Sequence, residues 1–91
     1  MTPEKAEILA LDALGWLAGE EDGLPRFLAQ SGIDSDALRA DAGSPEMGAA
    51  VLEFLLGHEE LLLRFCESTE TDPKLVHAGL RALGKPELRE I

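Results

Sequence analysis

The sequence is poor in aromatic residues, in bases and in cysteine, and each shortage narrows what the chain can be. Only four of its 91 residues are aromatic, namely Trp16, Phe27, Phe54 and Phe65, and tyrosine is absent. A core with so few rings must be filled by leucine and alanine, which favour helices over strands. Lysine and arginine number 8 against 18 aspartates and glutamates, for a net charge of −10. Nucleic acid and anionic membranes are bound by basic surfaces, so both are disfavoured as partners. Cys66 is the only cysteine, which excludes an intrachain disulfide and fits a reducing compartment. No run reaches the ~20 apolar residues of a membrane span; Glu53 and the "GHEE" of residues 57–60 break the longest one. The opening "MTPEKAE" has no basic segment followed by an apolar stretch, so no secretory signal is expected. These absences predict one cytoplasmic domain over residues 1–91.

What is abundant is helix punctuation. Thr2-Pro3, Ser44-Pro45 and Asp72-Pro73 each place an N-cap residue before a proline suited to the first helical position. Gly32, Gly43 and Gly84 fall where helix C-caps are expected. These signals predict helices near 3–18, 24–31, 35–42, 45–56, 59–69 and 73–83. Periodicity agrees. Met47, Ala50, Val51, Phe54 and Leu55 recur at helical spacing, and Leu52 and Leu56 widen that face, which marks the fourth helix as central. The first helix, with Leu9, Ala10, Ala13, Leu14, Trp16 and Leu17, is almost as apolar. No segment alternates with period two. The expected fold is all-α, a compact bundle of five or six helices.

One phrase occurs twice. "LGWLAGEEDGLPRF" at residues 14–27 returns as "LEFLLGHEELLLRF" at 52–65, an offset of 38 residues. Eight of the 25 pairs from residue 14 to residue 38 are identical without a gap, among them Leu14/Leu52, Gly19/Gly57, Arg26/Arg64, Phe27/Phe65 and Asp34/Asp72. The matches fall on core positions and helix ends. This predicts two similar three-helix halves, about 3–42 and 45–84, followed by a tail over 85–91. Two units are fewer than an open solenoid needs, so a closed bundle is expected.

Chemistry is sparse. His58 and His77 are the only histidines, too few for a zinc site at short spacing. "HEELL" carries Leu62 where the zinc-protease pattern needs its second histidine. Cys66 follows Leu62 and Leu63 on an apolar face and reads as a buried thiol; a nucleophile would need a base and a lowered pKa, and Glu67 beside it opposes thiolate formation. The acids Glu20, Glu21 and Asp22 precede a helix start, where negative charge is favourable, and are not set across a pocket. No phosphate loop, dinucleotide fingerprint or hydrolase triad is present. Nothing therefore points to catalysis, a cofactor or a bound metal.

Two groups of cations stand out. Arg26 and Arg64 are kept at equivalent places of the two halves, each four residues after an acid, Asp22 and Glu60. They read as solvated ion pairs or, if the halves bring them together, as an anion clamp. Residues 73–91 hold half of the chain's bases but only two of its acids. There Lys74, His77, Arg81 and Lys85 form an outward stripe. The dipole favours bases near a helix C-terminus but opposes Lys74 in the first turn. The stripe is a candidate partner-binding face.

The segment "RFLAQSGIDSDALR", preceded by "LGWL" and followed by "VLEFLLGHEELLLRFCESTETDP", resembles the small bacterial proteins of domain-of-unknown-function family 3572 over roughly residues 6–84. The resemblance implies a bacterial, cytoplasmic, compact helical protein and supplies no site residues. Together these readings predict a non-enzymatic protein-interaction or regulatory module, acting on an unknown protein or on a second copy of itself. A ligand or enzyme site between helices, drawing on Arg26, Arg64, His58 or Cys66, is the alternative. A helix-turn-helix nucleic-acid binder using the last helix is a second.

Overall fold

Each helix begins where a side chain supplies the missing acceptor. In the computed structural model, which describes residues 1–84, the hydroxyl of Thr2 accepts from Lys5 N (3.2 Å), Asp34 Oδ1 from Ala37 N (2.8 Å), Ser44 Oγ from Met47 N (3.1 Å) and Asp72 Oδ1 from Lys74 N (2.9 Å). The resulting elements are α1 (Pro3–Gly19), α2 (Gly23–Ser31), α3 (Ser35–Asp41), α4 (Pro45–Leu56), α5 (Glu59–Thr69) and α6 (Pro73–Gly84). No strand occurs among the described residues, and no helix among them is long and apolar enough to cross a membrane. Two local expectations need correction. Gly43 is not a left-handed cap: α3 ends at Asp41, Ala42 stays right-handed, and Ser44 N closes the turn onto Asp41 O (2.9 Å). At the start of α2, Asp22 takes a left-handed backbone (φ 65°) and makes no side-chain cap bond.

Packing centres on α4, which buries Met47, Val51, Leu52, Phe54 and Leu55 and is in contact with α1, α2, α5 and α6. On α1 the buried face is Ala6, Ala10, Ala13 and Leu17, three of them alanines, so neighbouring backbones come close. Glycine completes the close approach. A Cβ on Gly48 of α4 would lie 3.1 Å from the Cβ of Ala10, and one on Gly79 of α6 would lie 2.9 Å from Leu52 Cδ1. Rings fill the rest of the core as two edge-on pairs, Trp16 with Phe65 (centroids 5.7 Å apart) and Phe27 with Phe54 (5.4 Å). The three phenylalanines are buried; Trp16 is half-buried.

Residues 38 positions apart play matching roles at several points. Trp16 is equivalent to Phe54, and Phe27 to Phe65, so each ring pair joins one half to the other with the partners exchanged. Ala10 and Gly48, also equivalent, face each other where α1 meets α4. At the ends of α2 and α5, Gly32 (φ 76°) and Glu70 (φ 55°) both adopt the left-handed cap. The third helices differ. α6 packs against α1, α4 and α5, whereas α3 is a seven-residue helix whose one buried side chain is Leu38.

The left-handed cap makes a stability prediction. A side chain with a Cβ pays about 1–2 kcal/mol there, part of which glycine returns through its floppier unfolded chain. Glu70→Gly should therefore raise stability by about 1 kcal/mol, and Gly32→Ala should lower it by a similar amount. Urea midpoints check both; a loss for Glu70→Gly would mean that the Glu70 side chain contributes a contact outweighing the strain.

Candidate functional site

The turns of α6 place Lys74, His77 and Arg81 on its outer side, all exposed, opposite buried Val76, Gly79 and Leu83. Lys85, the fourth member of the expected stripe, lies outside the described residues. Among the described residues, neither Lys74 nor Arg81 forms an ion pair. Leu75 flanks the stripe and is 45% exposed. On the neighbouring α1, Ile8 and Leu11 point away from the buried alanine face and are also exposed. This corrects the simple picture of α1 as a wholly internal helix: its outer side is apolar but uncovered.

The two arginines have different surroundings. Arg64 reaches Glu20 Oε1, at the end of α1 (3.3 Å), and Glu60 Oε2 on its own helix (4.0 Å). Arg26 is exposed, and among the described residues it pairs with no carboxylate. The expected pair with Asp22 is missing because Asp22 stands outside α2 in its left-handed turn, off the helical i, i+4 geometry. For a clamp, an added anion would have to compete with two carboxylates at Arg64.

Cys66 is buried on α5. Burial pushes its thiol pKa up, and the nearby charge of Asp72 pushes the same way. Both act against a thiolate nucleophile. Cys66 should accordingly react slowly with a thiol reagent in the native protein and rapidly in denaturant; fast native labelling at neutral pH would contradict burial. The sign of the pH effect follows. The folded state holds the thiol proton more tightly, so this contribution to stability is complete below the ordinary thiol range and is lost as pH rises through the elevated folded value.

The described surface also carries an open cleft of about 400 Å³ between the C-terminal ends of α2 and α4. Gln30, Ser31 and Ile33 line one side; Glu53, Phe54 and His58 line the other. His58 stacks on Phe54 (centroids 4.4 Å apart), and its Nδ1 lies 2.8 Å from Phe54 O. A carbonyl only accepts, so Nδ1 carries the hydrogen and donates it, and Nε2 is the ring atom left for a ligand. Ser31 Oγ is engaged locally, accepting from Ile33 N at 3.2 Å. Sequence reasoning singled out His58 but missed Gln30, Ser31 and Glu53. Each reads as an ordinary surface residue, and only the approach of two helix ends sets them around one space. Leu62, at the place of the absent second histidine of "HEELL", is buried. Among the described residues, no group of three or more His, Cys, Asp or Glu is placed to hold a metal ion.

One family model matches the chain, that of a "Protein of unknown function (DUF3572)", over residues 3–86. The protein belongs to this family. The match spans every helix described above, both arginines, Cys66, the cleft and all of the outward stripe up to Lys85. No curated protein and no solved structure matches the chain.

Proposed function

We propose that this family member is a non-enzymatic, cytoplasmic interaction module that docks an acidic protein surface onto the outer face of α6. The supporting observation is the stripe itself: Lys74, His77 and Arg81 stand exposed in a row, without carboxylate partners among the described residues, on a chain of net charge −10. Exposed Leu75, with Ile8 on the adjoining helix, would supply apolar contact beside the charges. Complementarity of this kind acts mainly on association rate and on the choice of partner. It should weaken with salt, since the Debye length falls from about 10 Å at 0.1 M to about 3 Å at 1 M. The test compares the wild type with Lys74→Glu/Arg81→Glu by sedimentation at both salt concentrations and by recovery of partners from the host. Salt-sensitive self-association lost in the variant identifies a second copy as the partner; loss of a recovered protein identifies a foreign one. If charge reversal changes neither, the stripe is only solvated surface.

We also infer that the chain is a duplicated three-helix unit, its halves related by an approximate two-fold axis near Ala10 and Gly48. Exchange of the ring partners between halves supports this, because in a two-fold contact residue i meets j while j meets i. The longer, better-packed α6 would then be the half-specific elaboration that carries the docking stripe.

A further inference from the structure

We propose that the cleft between the ends of α2 and α4 is a binding site for an alkylammonium group. The inference is independent of the docking stripe, which lies on α6. Glu53 contributes a carboxylate to the lining, and no lysine or arginine lines the space; Arg26 lies one turn earlier on α2, outside it. Gln30 and Ser31 belong to the last turn of α2, and Glu53 and Phe54 to the last turn of α4. Two helix C-termini therefore direct their partial negative charge toward one place, where a cation is favoured. His58 adds a neutral acceptor, since its Nδ1–H is committed to Phe54 O and Nε2 is free. Ile33 and Phe54 supply apolar surface for the alkyl chain next to the charge. The volume of about 400 Å³ falls at the small end of the ~300–1,000 Å³ usual for small-molecule sites. A second cleft of about 320 Å³ shares Ile33 and is lined by Asp41 and Glu46, again with no base, so the negative character continues along this side of the molecule.

The ammonium could come from a free amine or from a lysine side chain of a protein. Both present the same chemistry, and one experiment separates them. Butylammonium, the near-isosteric neutral butanol and the anion butyrate are titrated at 0.1 M salt into nitrogen-15-labelled protein, with backbone amide shifts as readout. Butylammonium is expected to give saturable shifts confined to Ser31, Ile33, Glu53, Gly57 and His58, and the other two are not. Glu53→Gln should weaken binding by about fivefold, whereas Glu67→Gln, the same charge change on the outer side of α5, should leave it unaltered. Nα-acetyl-lysine N-methylamide then distinguishes the sources: tighter binding than butylammonium points to a protein lysine, weaker binding to a free amine. Equal shifts from all three small probes, shifts spread over the whole acidic surface, or an unchanged affinity in Glu53→Gln would overturn the site.

Discussion

Phe65→Ala is expected to lower the unfolding free energy by about 3–5 kcal/mol, the usual range for deleting a fully buried ring. The total for a chain of 91 residues is on the order of 5–9 kcal/mol, so the variant should sit close to its unfolding transition at room temperature. The ring is 0% exposed and meets Trp16 edge-on, so both burial and an aromatic contact are lost. Trp16 is the only tryptophan, and its fluorescence reports the same contact directly. Phe27 is the equivalent residue of the other half, also 0% exposed and paired with Phe54. Phe27→Ala should therefore cost about as much as Phe65→Ala. Denaturant titration of both variants is the check. A loss below about 1 kcal/mol in either would place that ring outside the core and remove the equivalence on which the duplication rests.

The second large effect comes from adding atoms. Gly48→Leu should destabilise by about 3 kcal/mol, at the upper end of what overpacking costs. A Cβ at residue 48 already falls 2.9 Å from Leu83 Cδ1 and 3.1 Å from Ala10 Cβ. Leu83 can turn its methyl aside, but Ala10 has no side-chain torsion to yield, so α1 and α4 must separate. Gly48→Ala is the informative contrast. It meets the same first contacts but gains about 0.5–1 kcal/mol of helix preference, so it should be close to neutral. If thermal unfolding finds the leucine variant as stable as the wild type, the interface between α1, α4 and α6 is looser than the structure describes.

The helix starts were legible because their causes are local. Thr2, Asp34, Ser44 and Asp72 each cap an amide two or three residues ahead, a distance that a reader of the chain can scan. Central α4 was legible because apolar spacing over a dozen residues has few other outcomes. Failures occurred where a backbone left the helix or where two distant segments met. Gly43 looked like a cap only because glycine often is one, yet the turn closes through Ser44 and Asp41 without a left-handed residue. Asp22 precedes Arg26 by four residues, but a left-handed turn removes it from the helix on which that spacing has meaning. Arg64 found Glu20, 44 residues away, which no local rule connects to it.

The amino-acid sequence by itself determined that the chain is helical, where the helices begin, which faces carry leucine and alanine, and that the bases of α6 stand apart in an acidic chain. These properties depend on the covalent order of neighbours and on a period of 3.6 residues. Only the tertiary structure decided that Gly48 and Gly79 lie where helices cross, that the four rings pair across the halves, and that Glu53 and His58 share a cleft with Gln30 and Ser31. The physical reason is distance along the chain: capping and periodicity act within about a turn or two, whereas a cleft between the ends of α2 and α4 depends on how whole helices settle against one core.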